Sequence, residues 1–420
     1  DYDLMTDPTT GLAWPQRIEK AELLVQEGLP VSSTYDWIEL AFTPAITVPS
    51  DAWVDWDATN QRFITAAEKY TQTVTANIKS TVYYPADLFE TVKWHDGSSL
   101  DLSDFIMKMI LTFDRGKPES SIYDETYSWY LESFMATFKG VRIISQDPLI
   151  IDTYHDDHWI DAELNLKSWW PNMSYGPAAW HTLALGVRAE AAQQLAFSAD
   201  KADQLGIEWM NFIAEPSLSI LKNYLDTSLI ENYIPYNPTM GAYVTTDEAT
   251  NRWANLFAWY NARGHIWLGT GPFYLENADY TQSVLTLTRF ADYPDPAGKW
   301  DFFIENSILD INYTTGAPGS TLNLTGDNFP PNQDANIFVN GLSLGTTPVS
   351  DSGTFTFTLT TSNAAEGFYY ATASVNPSAT VKFIIDVDED IRPPEGDYPA
   401  FDLPAGIAYI YEMYLSLLSK

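Results

Sequence analysis

Residues 92–105 read VKWHDGSSLDLSDF, and this stretch predicts a strand, a tight turn and the start of a helix. Asp96-Gly97 is a common turn dipeptide. Asp101 stands at an N-cap position, and Asp104 places a carboxylate in the first helical turn. Apolar residues then recur at helical spacing until Gly116. We therefore expect a helix that begins at residues 101–103 and ends before this glycine.

The same stretch carries a motif that occurs in a known family. Its core is formed by Trp94, His95, Asp96 and Gly97, and it is followed by a leucine and an acid-rich helix start. This pattern resembles the peptide/nickel (oligopeptide/dipeptide-binding) class of solute-binding proteins that supply ABC importers. A second motif of that class, Gly-Thr-Gly-Pro-aromatic, is present at Gly269, Thr270, Gly271, Pro272 and Phe273. The resemblance covers about residues 35–293.

The resemblance implies a fold and a function. Members of the class have two lobes that close on a peptide or another small solute, and they deliver it to the membrane subunits of the importer. We therefore expect an extracellular or cell-surface binding protein, not an enzyme, with no cofactor. The residues of both motifs are expected to have structural roles.

The predicted secondary structure changes near residues 300–318, which indicates a domain boundary. Residues 1–300 mix helical and strand patterns and predict an α+β solute-binding-type lobe. Residues 311–387 show short strands at regular intervals, and the alternation over residues 354–360 is typical of a strand with one buried face. This part resembles an immunoglobulin-like sandwich. Residues 388–420 predict a Pro-rich acidic spacer and an apolar helix at 407–418.

Within the lobe, several elements have clear local signals. We expect an amphipathic helix near residues 18–26 and a second helix over 122–138. Residues 141–144 and 149–154 predict a hairpin. A further helix is expected over 200–213, among others between residues 178 and 263.

Composition excludes several classes of partner. The chain has 420 residues with 22 basic and 56 acidic side chains, for a net charge of −34. Such a surface repels nucleic acid and anionic membranes. Cysteine is absent, so disulfides and thiolate metal sites are excluded. No apolar run reaches the roughly 20 residues of a membrane-spanning helix.

Candidate binding residues are aromatic. Trp169, Trp170 and Tyr175 lie in the stretch WWPNMSY, and neighbouring side chains point to different sides of a chain. We therefore expect some of them to line a cleft or an interface. No catalytic motif occurs, and residues 155–158 (HDDH) are interpreted as a solvated turn, not as a metal site. Asn172, Asn312 and Asn323 match the N-glycosylation pattern.

The resemblance leaves one alternative open. The chain begins at Asp1 without a signal peptide, so we expect a processed product or a fragment. No second lobe is recognisable after the Gly-Thr-Gly-Pro motif; either it precedes Asp1 in a precursor or it is absent. In the second case, the chain is expected to be a structural subunit of an extracellular filament, sheath or surface layer. The apolar helix at 407–418 would then dock onto its own chain or onto another copy.

Overall fold

The computed structural model describes residues 2–6, 11, 13–33, 37–173, 176–279, 282–299, 307–375 and 378–408. The chain divides into two compact units, Asp1–Asp295 and Pro296–Lys420. Helices and strands both occur, in several separate sheets, so the protein belongs to the mixed α+β class. Among the described helices, none has the length and apolarity that a bilayer crossing requires.

The described strands of the first unit are short to medium in length. In chain order they are β1 Leu4–Thr6, β2 Ala13–Pro15, β3 Lys20–Gln26, β4 Ile38–Thr43, β5 Ile46–Thr47, β6 Trp53–Asp57, β7 Arg62–Thr65, β8 Thr75–Ala76, β9 Ile78–Tyr83, β10 Phe138–Gln146, β11 Leu149–His155, β12 Asn172–Met173, β13 Gly176–Pro177, β14 Leu195–Ala196, β15 Glu208–Trp209, β16 Phe273–Asp279 and β17 Val284–Arg289.

Most helices of this unit follow strand β9 in the chain. The helices are α1 Ala66–Lys69, α2 Leu88–Thr91, α3 Leu102–Asp114, α4 Glu125–Thr137, α5 Trp180–Ala191, α6 Ala199–Leu205, α7 Ser217–Glu231, α8 Asn237–Met240 and α9 Thr246–Arg263, with a 3-10 helix at Ala162–Asn165.

A seven-stranded sheet organises the first unit, in the order β4-β3-β9-β11-β10-β6-β7. Neighbouring strands are antiparallel except for β3 and β4, which are parallel. Val82, Val141 and Ile151 lie on one face of this sheet and share a core cluster with α3. Helix α3 is therefore a central element of the unit, buried over nearly its whole length.

The predicted start of α3 is confirmed, and its cap explains it. The Asp101 carboxylate accepts a hydrogen bond from the backbone N–H of Ser103 over 2.8 Å. In return, Asp104 Oδ2 accepts from the backbone N–H of Asp101 over 3.1 Å. This reciprocal capping box satisfies donors that the first helical turn leaves without partners. The helix ends at Asp114, before Gly116, as expected.

The helix predicted at residues 18–26 is wrong, because this segment forms strand β3. Along β3 the side chains alternate, with Ala21, Leu23 and Val25 buried. Both neighbours in the sheet, β4 and β9, supply backbone hydrogen bonds to it. Pairing on two sides outweighs the helix propensity of the alanine, leucine and glutamate residues in this sequence.

Other local predictions were closer to the structure. The expected second helix is α4, and the expected hairpin is formed by β10 and β11. The helix predicted over 200–213 is wrong in its length, since α6 ends at Leu205. Gly206 adopts a left-handed conformation with φ +64°, and the chain then continues into the short strand β15.

The described strands of the second unit form two sheets. They are β18 Ile308–Ile311, β19 Thr315–Gly316, β20 Thr321–Asp327, β21 Asp334–Val339, β22 Leu342–Pro348, β23 Phe355–Thr360, β24 Gly367–Ser374, β25 Ala379–Ile385 and β26 Ala400–Asp402.

The two sheets of this unit enclose one core. One has the order β18-β20-β23-β26 and the other β19-β25-β24-β21-β22. Phe357 from the first sheet and Phe383 from the second are fully buried in the same cluster. The strand predicted over residues 354–360 is confirmed as β23. Its Phe355, Phe357 and Leu359 are buried as expected, and Thr358 on the other face is buried as well. The arrangement is that of a β-sandwich.

The spacer predicted from residue 388 onward is wrong as an extended linker, because its first part adds to the sandwich. Strand β26 pairs in parallel with β23. The carbonyl oxygens of Asp390 and Arg392 accept backbone hydrogen bonds from Ala317 and Thr321. The predicted helix at 407–418 lies outside the described residues, apart from 407 and 408.

Candidate functional site

The ring of His95 joins the two sequence motifs. The backbone N–H of Gly269 donates to Nδ1 of His95 over 3.1 Å, and Nε2 of His95 donates to the carbonyl oxygen of Gly271 over 3.0 Å. The backbone N–H of His95 donates to the carbonyl oxygen of Gly269 over 2.9 Å. Because Nδ1 accepts while Nε2 donates, the ring is neutral and carries its proton on Nε2.

The surroundings of this ring favour the neutral form. Burial lowers the pKa of His95 to about 4. The rings of Phe290, Tyr274 and Trp259 lie around the imidazole at centroid distances of 5.0, 5.9 and 6.3 Å. A Cβ atom at Gly269 would lie 3.1 Å from Cε1 of the imidazole, so a larger residue there would displace the ring.

The turn after His95 is held by polar contacts of its own. Gly97 has φ +89°, a conformation that glycine adopts without strain. Asp96 is buried, and its Oδ1 accepts from the backbone N–H of Ser98 over 3.0 Å. Its Oδ2 lies 2.9 Å from Nε2 of His181 on α5. Burial would raise the pKa of Asp96, but the charge and hydrogen bond of His181 lower it overall.

The start of α3 is tied to α9 through Arg252. Its Nη2 lies 2.8 Å from Asp101 Oδ2 and 2.9 Å from Asp104 Oδ2, and its Nη1 donates to Asp104 Oδ1 over 3.1 Å. Asp104 also accepts from the indole N–H of Trp94 and from the backbone N–H of Trp180. Every oxygen of this buried carboxylate is therefore engaged.

A third carboxyl group belongs to the same cluster. Glu248 Oε1 lies 3.5 Å from Nε of Arg252. Burial and the neighbouring Asp101 raise the pKa of Glu248 to about 8, so it is protonated near neutral pH. The cluster therefore does not require one guanidinium to neutralise three ionised carboxylates.

The remaining residues of the second motif shape the loop that follows. Thr270 is buried, and its Oγ1 has no hydrogen-bond partner among the described atoms. The carbonyl oxygen of Pro272 accepts from the backbone N–H of Phe290 and closes the base of the β16–β17 hairpin. The polar groups of both motifs are thus mainly engaged with protein partners. This arrangement fixes the geometry of the loop.

An open apolar pocket lies beside this junction. It has a volume of about 310 Å³ and is lined by residues of the second motif, the segment before it and the hairpin after it. Trp267, Phe273, Leu285 and Leu287 line it and remain between 41% and 66% exposed. The pocket can therefore accept an apolar group, although few polar atoms are available to orient one.

The structure corrects the interpretation of the two tryptophans. Trp169 and Trp170 are both buried in one core, although their neighbouring side chains point to different sides of the chain. The core surrounds the segment on both sides: Trp169 packs on Phe138, and Trp170 packs on Phe105. Trp170 is too buried to contact a solute, whereas Trp169 forms part of a cavity wall. Tyr175 lies outside the described residues.

The three glycosylation motifs differ in access. Asn312 is exposed, and Asn172 is half-buried on strand β12. Asn323 is buried; its Nδ2 donates to the carbonyl oxygen of Glu395 and its Oδ1 accepts from Thr358. A glycan on Asn323 would require both contacts to open in the folded unit.

The HDDH run is only partly a solvated turn. His155 is the last residue of β11 and is buried, with Nε2 donating to the carbonyl oxygen of Asn165 over 3.0 Å. Its Nδ1 lies 3.0 Å from Asp157 Oδ1. His158 is exposed. Within the described parts of the chain, no group of three or more metal-binding side chains comes together.

Sequence reasoning missed several residues that build the site. Arg252, His181 and Lys108 lie on helices, where a polar residue in an apolar pattern is usually read as solvent-exposed. Their partners are distant in sequence, as with Arg252 and Asp104, which are 148 positions apart. For Arg252, the local signal that could have pointed to it is the pair of carboxylates at the start of α3, which requires a cation.

No protein-family model matches the chain, and no curated protein sequence matches it.

Proposed function

We propose that the chain is a solute-binding protein of the peptide/nickel class, or part of one, that serves an ABC importer at the cell surface. The observation that carries the proposal is the His95 junction. Two motifs that resemble the class in sequence meet through three hydrogen bonds and define one structural centre.

In this proposal the first unit supplies one wall of the binding site. The pocket beside the junction is open, and its apolar lining suits the side chain of a peptide or a similar small solute. A second lobe, from a precursor segment or another chain, would cover the bound solute. The importer membrane subunits would then receive the solute from the closed form.

Calorimetric titration of the protein encoded by the complete gene with mixed di- to hexapeptides tests this function. We expect saturable heat, and we expect Trp267→Ala to weaken binding because it removes an aromatic wall of the pocket. Trp209→Ala is the matched control, since Trp209 is 51% exposed on β15 and does not line this pocket. Absence of heat with every peptide would contradict peptide binding.

A structural subunit remains the second candidate, and a specific observation favours it. Leu285 and Leu287 on β17 are 66% and 61% exposed beside the exposed Phe273. A contiguous apolar surface of this kind is common at contacts between proteins. We therefore propose, as the alternative, a subunit of an extracellular filament, sheath or surface layer.

Light scattering and electron microscopy of the purified chain test the alternative. We expect assemblies whose formation is lost in the double variant Leu285→Ser/Leu287→Ser. Ile230→Ser on α7 is the control, because Ile230 is equally apolar and 82% exposed. A strictly monomeric chain at high concentration would contradict this function.

A further inference from the structure

Lys108 on α3 differs from the other described lysines of the first unit. Each of the others lies within 4 Å of a carboxylate: Lys20, Lys69, Lys79, Lys93, Lys117, Lys139, Lys167, Lys201 and Lys222. Lys108 forms no ion pair among the described residues and donates instead to Oδ1 of Asn172 over 2.7 Å. In a chain with 56 acidic residues, an unpaired lysine at a largely buried position calls for an explanation.

Lys108 lies between two adjoining cavities, of about 320 and 290 Å³. Thr112, Tyr130 and Asn172 also line both of them. We call this region the Lys108 groove; α3, α4, the β10–β11 hairpin and residues 166–173 form its walls. Each cavity is near the lower end of the size range of small-molecule sites, so the Lys108 groove has room for a compact solute.

The charges that line the Lys108 groove are mostly positive. Arg115 lines the second cavity; its guanidinium lies 3.5 Å from Asp124, while its buried Nε has no hydrogen-bond partner among the described atoms. Lys167 in the first cavity is paired with Asp157 over 2.6 Å. Asp157 is the one acidic residue among the described groups that line the groove. The groove is therefore a cationic region in a strongly acidic protein.

One wall of the groove is aromatic. The Tyr130 ring is 46% exposed, and Phe134, Phe138 and Trp169 form the wall beside it. A ligand held there by a negative group would place a flat or apolar group against these rings. Asn172 adds a donor, because its Oδ1 accepts from Lys108 and its Nδ2 donates to no described residue.

We infer that the Lys108 groove binds a small monocarboxylate solute with an aromatic or apolar substituent. The Lys108 ammonium and the Asn172 amide would hold the carboxylate, and the rings of Tyr130 and Trp169 would hold the substituent. A carboxylate also supplies the counter-charge that this lysine lacks. The inference goes beyond the importer proposal, because the groove belongs to this chain alone and needs no second lobe.

The retained charge of Lys108 supports this inference. Burial, with the nearby Arg115, lowers the pKa of Lys108 to about 8. A cation that burial destabilises and that no carboxylate compensates costs stability. Residues of this kind are frequent at binding sites, where a ligand supplies the missing partner.

Calorimetry with a matched pair of ligands tests the inference. N-acetyl-L-phenylalanine carries the carboxylate, whereas N-acetyl-L-phenylalaninamide has an uncharged amide group in its place. We expect the acid to bind the full chain at least 10-fold more tightly than the amide at low salt and neutral pH, as a charge-assisted hydrogen bond is lost. Acetate and inorganic phosphate serve as probes of the anion alone, and both are expected to bind more weakly than the acid.

Variants then assign the binding to the groove. We expect Lys108→Met to weaken binding of the acid by 10- to 100-fold and Tyr130→Ala to weaken it several-fold. Lys222→Met is the matched control, because Lys222 is paired with Asp226 on α7 and does not line the groove. Equal binding of acid and amide, tighter binding of phosphate, unchanged binding to folded Lys108→Met, or absence of binding by every probe would overturn the inference.

Discussion

Nε2 of His95 donates a hydrogen bond over 3.0 Å to the carbonyl oxygen of Gly271, although 176 positions separate the two residues. The other ring nitrogen accepts from the N–H of Gly269. A side chain that donates and accepts at once, across a five-membered ring, is specific to neutral imidazole. The junction therefore depends on the identity of this residue, its tautomer and its protonation state.

Loss of the ring should destabilise the protein. We expect His95→Ala to lower the free energy of unfolding by about 2–4 kcal/mol, since a cavity forms and two backbone groups lose their partner. Urea unfolding followed by tryptophan fluorescence measures this change. His158→Ala is the control, because His158 is exposed and should change stability by less than about 0.5 kcal/mol. Equal effects of the two variants would contradict the structural role of His95.

The same residue predicts a pH dependence. Burial lowers the pKa of His95 from 6.5 to about 4, so the unfolded state binds more protons between these values. Stability is then lost as the pH falls from about 6.5 towards 4. We expect the difference in unfolding free energy between wild type and His95→Ala to shrink by about 2 kcal/mol between pH 7 and 4.5.

Urea titrations of both proteins at a series of pH values measure this difference. Since acidic side chains titrate in both proteins, their contributions cancel in the comparison. A difference that stays constant, or grows, on acidification would show that the imidazole is not held neutral in the folded state.

Arg252 provides a second test of the motif region. Its removal leaves the buried carboxylate of Asp104 without its cation, and we expect Arg252→Met to cost about 3–5 kcal/mol. Arg62→Met is the control, because its ion pair with Glu68 is exposed and should be worth less than about 1 kcal/mol. Thermal and urea unfolding give both values, and a loss as small as that of the control would contradict the role of Arg252.

The sequence predicted those features whose causes are local. The start of α3 follows from Asp101 and Asp104, which cap the helix from within four residues. Strand β23 follows from its alternation, since one face of the sandwich core takes every second side chain. Such signals need no knowledge of the rest of the chain.

The features that failed depend on distant partners. Residues 20–26 carry good helix formers, but pairing with β4 and β9 makes them a strand. Trp169 and Trp170 both enter the core because packed elements cover both sides of their segment. Lys108 looks like the exposed position of an amphipathic helix, and its contact with Asn172 is 64 positions away. Periodicity does not contain this information.

The two units have separate cores, which predicts independent folding. Buried apolar residues of the second unit form one core cluster of their own, between Leu309 and Leu403. We expect residues 296–420 expressed alone to show a β-rich circular dichroism spectrum and one cooperative unfolding transition. Expression of Phe357→Ala in the same fragment is the control that should abolish the transition, as a fully buried core ring is removed. A fragment without cooperative unfolding would contradict independence of the two units.

The stability of the variant Lys108→Met distinguishes a ligand-binding role of this lysine from a structural role. The pKa of this lysine is lowered from 10.5 to about 8, so the folded state disfavours the charged form. Below about pH 8 the lysine is charged in both states and the full penalty is present. We expect Lys108→Met to raise the free energy of unfolding at neutral pH by about 1–2 kcal/mol, because the methionine fills similar volume without a charge.

This expected stabilisation by Lys108→Met is opposite to the usual effect of replacing a buried, hydrogen-bonded residue. The pH dependence of the free energy of unfolding tests it. Between about pH 8 and 10.5 the unfolded state binds more protons at this position, so wild type gains stability relative to the variant. Urea titrations at pH 7 and pH 10 measure the two differences. The titratable groups that line the two cavities with Lys108 are Arg115, Tyr127, Tyr130, His155, Asp157 and Lys167. A variant that is less stable than wild type at pH 7 would mean that the lysine supports the fold. A more stable variant that no longer binds the carboxylate would mean that the charge is kept for a ligand.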